Sequence, residues 1–463
     1  THISTFHSLC VKILRQYAHR AGINSNFSIY DEADQAKCIK QAVKDCELDT
    51  ANFPPARMLE IISTRLKNNL IDVESFKAQA DDFFSQMLAR IYARYQQILA
   101  QHNALDFDDL LTNTAWMLES CPDVVNELGN RFRFLLIDEY QDTNYAQYKI
   151  AKALVSKHNN ICVTGDPDQS IYRWRGADIR NILTFENDWP DATVVRLEEN
   201  FRSTGNILKI ADNLISHNQN RKEKRLIPTN SRPGNVVVTS CEDEVEEAAQ
   251  VAQQIKELAK QGVALRDIAV FYRVNAASRV LEEAFISNKI PYQIVRGVEF
   301  YNRKEIRDLL SYLKVLVNPN DEVALLRIIN TPARGIGRIT IDKVRAYATL
   351  NNISFFEALQ RAQHISSLSE ATRAKLARFV TMIKHFKMDL TGQVSPLIER
   401  VFIESGLQQS LQGSDVKEQS ALENVEELIR AADEFDKSEQ EGGVSAFLDR
   451  ISLVSDIDTF DDK

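Results

Sequence analysis

Two short stretches of this 463-residue chain combine residue types that could do chemistry. In the first, Leu135-Leu136-Ile137-Asp138-Glu139-Tyr140-Gln141-Asp142, an apolar run opens directly into adjacent carboxylates. A carboxylate at a strand end can hold Mg²⁺ through its water shell, since that ion prefers carboxylate, water and phosphate oxygens. A second carboxylate beside it can take a proton from an attacking water. Standing alone, the pair could equally be solvated turn residues. The second stretch runs from Val163 through Gly165-Asp166-Pro167-Asp168-Gln169 to Tyr172-Arg173-Trp174-Arg175-Gly176. Gln169 offers a neutral amide to a phosphate oxygen. Aromatic faces interleaved with guanidinium groups suit a sequence-tolerant single-strand site, where bases stack and phosphates are neutralised. An aromatic core cluster is the competing explanation, and arginines on both sides of Trp174 fit it badly.

The elements that must position these groups read as α/β. Phe132–Ile137, Ile161–Thr164 and Thr193–Leu197 are short apolar runs ending in polar or acidic residues, the pattern of buried parallel strands. Helical sequence separates them, so functional groups belong at the strands' carboxyl ends. A second α/β unit is expected from about Glu199, with strands at Asn235–Ser240, Ile268–Tyr272 and Tyr292–Val295. Between the first two, Val245, Ala248, Ala249, Ala252, Ile255 and Leu258 form one core-facing helical stripe. Residues 31–103 show helical repeats such as Met58, Ile61, Ile62 and Leu66 and no strand alternation, which predicts a helical insertion. Residues from about Asn302 onward are again helical, with breaks at Asn318-Pro319 and Gly335-Ile336-Gly337. A loop from Ser438 to Gly443 precedes one last helix.

Composition bounds the partners. The length exceeds what one core serves and predicts roughly two to four domains. A formal charge of −9 would disfavour nucleic acid if charge were uniform, but one basic groove is compatible with an acidic exterior. The six cysteines have no Cys-x-x-Cys spacing, so neither a zinc site nor a disulfide framework is indicated, and a cytoplasmic location follows. The absence of a long apolar span or signal pattern predicts no membrane partner.

The acidic pair with its following residues resembles the Walker B box of the UvrD/Rep/PcrA type of superfamily 1 DNA helicases, and Gly165–Ala177 resembles their third motif almost letter for letter. Further matches keep that family's order: Ser4-Thr5-Phe6-His7-Ser8, Leu105-Asp106-Phe107-Asp108-Asp109-Leu110, Leu197-Glu198-Glu199-Asn200-Phe201-Arg202-Ser203-Thr204 and Pro332-Ala333-Arg334-Gly335-Ile336-Gly337. The resemblance implies two RecA-like P-loop NTPase cores, each with an inserted helical subdomain. The first core would comprise residues 1–30 and 104–198 around the insertion 31–103. The second would comprise 199–301, with 302–463 as its insertion. It implies ATP and Mg²⁺ as cofactors, with Asp138 on the metal, Glu139 as the base that activates water, and Gln169 and Arg202 on the γ-phosphate. Phe201, where the family usually has Tyr, would neighbour the nucleotide base. Phe6, Phe107, Tyr172 and Trp174 would face DNA bases; Thr5, His7 and Arg175 would contact phosphates or sugars; Gly335 and Gly337 would bring backbone amides close to the duplex. Single-stranded DNA and single-strand/duplex junctions would be the substrates, translocation would run 3′ to 5′, and repair or replication proteins would be partners.

The family places a Gly-Lys-Thr phosphate loop ahead of the Thr-Phe-His segment, and no Gly-x-x-x-x-Gly-Lys-[Ser/Thr] occurs in these residues. The family's last two motifs are not found either. The expectation is therefore an internal portion of such a helicase, one that binds single strands without hydrolysing ATP by itself. Two alternatives stand beside the stand-alone helicase: a DNA-binding module that never hydrolyses ATP, and the motor subunit of a nuclease-helicase recombination complex. Retention of Asp138, Glu139, Gln169 and Arg202 argues against the first, because a dead motor has no chemical need of that set.

Overall fold

The computed structural model describes all residues except 219–220, 223, 231–233, 273–276, 295–298, 391, 412–415, 439–441 and 454–463. They fall into two compact units: residues 1–192 together with 299–453, and residues 193–294.

In the first unit, Thr5 ends an extended entry and caps helix α1 (Phe6–Gln16) by accepting from the Ser8 amide at 3.2 Å. Strand β1 (Ser28–Tyr30) follows and pairs in parallel with β2 (Ala104–Asp106), Ser28 opposite Ala104 and Tyr30 opposite Asp106. All the sequence between these strands that has regular structure is helical: α2 (Glu32–Asp45), α3 (Pro55–Ile61), α4 (Val73–Gln79) and α5 (Phe83–Gln101). Their apolar stripes close a core of their own, with Ile39, Val43, Met58, Ile62, Ile91, Tyr92 and Tyr95 buried. Entry and exit of this helical block are thus held by one short ladder.

Asp106 ends β2 and starts α6 (Phe107–Ser120) through a reciprocal cap, accepting from the Asp109 amide at 2.8 Å while Asp109 accepts from the Asp106 amide at 3.2 Å. After α7 (Pro122–Arg131), β3 (Leu135–Ile137) pairs in parallel with β4 (Ile161–Val163) across helix α8 (Tyr145–Val155), which Asn144 and Gln147 cap in the same reciprocal way. Helices α1, α6, α7 and α8 bury Leu14, Leu110, Leu118, Leu128 and Ile150 together.

The helices of 299–453 build the largest core, around Leu309, Leu313, Leu325, Phe379, Val401 and Phe447. They also grip the β1–β2 ladder. Asn318, fully buried, donates to Ser28 Oγ at 3.0 Å, His102 O at 2.9 Å and Asn103 O at 3.0 Å, and Tyr30 donates to Asp321 at 2.9 Å. The final helix Gly443–Leu453 adds an ion pair, Arg15 to Asp449 at 2.7 Å. The expected loop before it lies partly outside the described residues.

In the second unit, β5 (Glu199–Thr204) pairs in parallel with β6 (Ile227–Asn230), and the helix Glu244–Lys260 packs on Ser278–Ser287. Of the expected stripe, Ala248, Ala252 and Ile255 are buried, whereas Val245, Ala249 and Leu258 are exposed, so the buried face is narrower than expected.

Four strand expectations require correction. Thr193–Leu197, Asn235–Ser240, Ile268–Tyr272 and the described part of Tyr292–Val295 join no ladder among the described residues. The physical reason is that apolar composition does not make a strand; paired backbone groups do. These runs lack such pairing, and Val238 and Phe271 are 94% and 93% exposed. No described helix is long and apolar enough to cross a membrane.

Candidate nucleotide and nucleic-acid sites

The carboxyl ends of β3 and β4 bring Asp138, Glu139 and Gln169 together. Beyond the strand ends the two segments stay paired, Thr164 N donating to Ile137 O at 2.8 Å and Tyr140 N to Thr164 O at 2.9 Å. Asp138 Oδ1 accepts from the Glu139 amide at 3.0 Å and from Thr164 Oγ1 at 2.9 Å, which leaves Oδ2 outside these bonds. Glu139 has φ 51° and ψ 42°, a left-handed conformation that costs a non-glycine residue on the order of 1 kcal/mol or more. The strained turn brings its carboxylate out at the surface beside that of Asp138.

Gln141, to which the sequence reading gave no role, links the two stretches. Its buried side chain donates to Glu139 Oε2 at 2.7 Å and accepts from the Asp166 amide at 3.0 Å. A Cβ at Gly165 would stand 2.4 Å from Gln141 Oε1, so only glycine lets the segments approach. Gln169 in turn donates to Asp166 Oδ2 at 2.7 Å. Burial, with the Glu139 charge adding to it, raises the Asp142 carboxyl above its ordinary range. An exposed carboxylate with one committed oxygen suits Mg²⁺, which keeps most of its water and phosphate ligands and asks the protein for few.

The stretch after Gln169 is a surface turn, not a core cluster. Trp174 and Tyr172 are 58% and 40% exposed, and the Arg175 guanidinium lies 4.8 Å and 5.6 Å from their ring centroids. Arg175 N and Ala177 N both donate to Tyr172 O, and Gly176 closes the turn at φ 92°. Asp178 N and the Asn181 side chain bind Thr143 O at 2.9 and 3.0 Å, anchoring the turn's far side at the start of α8. Two flat faces beside a cation have the chemistry to stack bases and neutralise a phosphate.

Thr5 lies exposed at the head of α1, while Phe6 and Phe107 are half-buried against the α1–α6 core. His7 meets Phe107 edge-on at 5.7 Å, and burial pushes its imidazole down to about 4. A neutral ring at physiological pH can hydrogen-bond a phosphate or sugar but supplies no fixed charge. Beneath Phe107 lies a network missed from sequence. Lys67, 1% exposed, sits 2.6 Å from Asp106 and 2.7 Å from Asp109, with Tyr95 donating to Asp106 at 2.8 Å and Gln96 to Asp109 at 3.0 Å. Burial would raise Asp106, but Lys67 and the bonds it accepts hold it below the usual range. Burial and the Asp106 charge push Asp109 up to about 6. The only sequence signal is the polar run Lys67-Asn68-Asn69 breaking the apolar period after Leu66.

The loop 330–337 is braced from below. Arg334 donates to the carbonyls of Ile328 and Thr331, both at 2.9 Å, to Ser405 O at 3.1 Å and to the Tyr312 hydroxyl at 2.6 Å. Asn330 Oδ1 accepts from Arg334 N and Ile336 N, and Ile336 is buried. Gly335, at φ 68°, has Lys375 where a Cβ would go, and Gly337 has open space around it. Gly337 heads the helix Arg338–Asn351 with no side-chain cap; Thr340 N donates to Gly337 O at 3.0 Å, which leaves the amides of Arg338 and Ile339 for an outside acceptor.

Phe201 and Arg202 lie exposed on β5, where Asn200 Oδ1 accepts from Arg202 N at 3.2 Å and Ser203 N at 2.8 Å. They belong to the second compact unit, whereas Asp138, Glu139 and Gln169 belong to the first.

Comparison with known proteins gives the same family across the chain. The family model described as the UvrD/REP helicase N-terminal domain matches residues 1–190, and that described as the UvrD-like helicase C-terminal domain matches residues 195–463. The chain is similar to the ATP-dependent DNA helicase PcrA of Staphylococcus epidermidis, with 43% identity over 463 residues, and to that of Staphylococcus aureus, with 42% over 462. Each comparison takes in 99% of this chain and 63% of the relative, so the chain spans less than two thirds of their length.

Proposed function

Because the chain belongs to the UvrD/REP helicase family, we propose that the full-length protein is an ATP-dependent DNA helicase that moves 3′ to 5′ along single strands and opens duplex at a junction. The family's two domains give it a two-core α/β helicase fold; RecA-like cores, each with a helical insertion, are the finer reading, the first split around residues 31–103 and the second carrying 302–463. The observation that carries the function is the wiring of one surface towards another: hydrogen bonds link Glu139 to Gln141, Gln141 to Asp166 and Asp166 to Gln169, and three residues further along the chain Tyr172 begins the exposed Tyr172–Arg175 turn. A change in what the carboxylates hold therefore has a short mechanical path to the groups that would hold bases.

In this mechanism Asp138 would hold Mg²⁺, which would supply positive charge against the ATP phosphates. Glu139 takes the proton of the attacking water, its carboxylate aimed by the left-handed turn and by Gln141. As the family resemblance implies, Gln169 would donate to the γ-phosphate, Arg202 would offer it a positive charge, and Phe201 would present a flat face to the nucleotide's base. Along the DNA, Trp174, Tyr172, Phe107 and Phe6 stack on bases. Arg175, Thr5 and a neutral His7 engage phosphates and sugars, and the amides around Gly335 and Gly337 meet the duplex. The six cysteines, all free, suit a reducing cytoplasm, and repair or replication proteins are the partners this activity would serve.

Strand displacement tests the proposal. Full-length protein with ATP should release the labelled strand from a duplex with a 3′ single-stranded tail and not from one with a 5′ tail. Displacement from the 5′ tail alone, or none without a defect in folding, would reject the assignment.

A further inference from the structure

Residues 62–70 leave regular helix in three successive ways. Ile62–Leu66 is a π-helical turn, Lys67–Asn69 a tight 3-10 turn, and Leu70 adopts φ 58°, left-handed in a residue that disfavours it. Irregularity of this kind persists only where surrounding contacts demand it. Here it delivers two buried polar side chains out of the helical block into the core beside it. Lys67 meets Asp106 and Asp109, as described. Asn68, also buried, points the other way: its Nδ2 donates to the carbonyl of Arg175 at 3.2 Å, and its Oδ1 accepts from Asn144 Nδ2 at 2.9 Å. The same amide fills the space a Cβ would take at Gly176, 2.4 Å from that position.

Asn68 therefore touches the back of the turn whose front carries Tyr172, Trp174 and Arg175, and Asn144, which holds it, is also the cap of α8. We propose that Asn68 is a positioning residue for the single-strand platform: it fixes the Arg175 carbonyl and the Gly176 turn, and so sets the height and tilt of Trp174 and Arg175 for a DNA base and phosphate. It does so from the helical block 31–103, so that a shift of this block relative to α8 is felt at the platform. The inference rests on the reading of that turn as a DNA site.

The test is a double-mutant cycle in the full-length protein, titrating a labelled oligothymidylate and recording thermal melting beside it. Asn68→Ala should weaken binding about 3- to 10-fold, the scale of one lost hydrogen bond. Asn68→Asp keeps the shape and the acceptor for Asn144 but cannot donate to the Arg175 carbonyl, so it should be as defective; a space-filling role would leave it near wild type. Combined with Trp174→Ala, the Asn68→Ala loss should shrink, because the group it aims is gone. If Asn68→Ala does not fold, Asn68→Asp and Asn68→Ser carry the same cycle. Normal binding by folded Asn68 variants, or losses that multiply fully with Trp174→Ala, would overturn the positioning role while leaving the DNA site standing. Normal binding by Trp174→Ala would remove the DNA site itself, and the inference with it.

Discussion

At the scale of single residues, charge and strain are concentrated where the chemistry is proposed. Glu139→Gln in the full-length protein should keep nucleotide and DNA binding and slow steady-state ATP turnover by roughly 10²- to 10⁴-fold, since the amide preserves shape but cannot take a proton. Lys67 is a different case, a buried cation outside the proposed DNA contacts. Lys67→Met would leave Asp106 and Asp109 facing each other uncompensated and should cost about 3–5 kcal/mol of stability in denaturant unfolding. Its pH dependence has a defined sign. Burial and the Asp106 charge push the Asp109 carboxyl up from its ordinary 3.8 to about 6, so protonation favours the folded state as pH falls through that window, and the Lys67→Met penalty should shrink on acidification. His7 works oppositely. Its folded value near 4 lies below the ordinary 6.5, so its contribution to stability is complete above 6.5 and is lost as pH falls toward 4, and His7→Phe should flatten the acid limb of the wild-type stability profile.

Among the elements, the β1–β2 ladder is the point on which the first unit turns, because it closes the helical block 31–103 and is itself gripped by Asn318. Asn318→Ala orphans the His102 carbonyl and weakens the hold on Asn103, and should destabilise the folded protein by roughly 1–3 kcal/mol, read as a lower denaturation midpoint. An unchanged midpoint would mean that this grip adds nothing. How far such elements can be read from sequence follows from what each depends on. Of the expected runs 132–137 and 161–164, residues 135–137 and 161–163 form the paired strands, because an apolar stretch ending in a carboxylate or Gly-Asp marks a strand end locally; residues 132–134 join no ladder among the described residues, and Leu136 and Cys162 are exposed where full burial was expected. The runs at 193–197, 235–240 and 268–272 look the same in sequence, but strand formation depends on a ladder partner elsewhere, which composition does not encode. Trp174 and Arg175 could be placed at a surface by their mixture alone. Gln141 and Asn68 could not be assigned, because the meaning of Asn68 lies in a carbonyl 107 residues further along the chain. A bare polar run inside a helical repeat carries no such information.

For the whole molecule, the charge of −9 and the proposed DNA partner are reconciled by placement: Arg173 and Arg175 sit on an exposed aromatic turn, while many acidic groups are committed elsewhere, Asp34 to Arg307 and Lys314, Asp308 to Arg327, Asp449 to Arg15. Binding that depends on a few local cations should weaken steadily with salt and respond little to base sequence. Replacing Trp174 by Ala should cost about 1–3 kcal/mol of single-strand affinity, nearly equal for different bases. On the proposed function the carboxylate pair and this turn are two ends of one machine, and steady-state ATP hydrolysis by the full-length protein, with single-stranded oligonucleotide titrated in, reads their coupling. Hydrolysis should rise with DNA, reach half its maximum at higher DNA concentration in Trp174→Ala, and fall to a small residue in Glu139→Gln at every concentration. Hydrolysis indifferent to single-stranded DNA, or undiminished in Glu139→Gln, would contradict the proposed function.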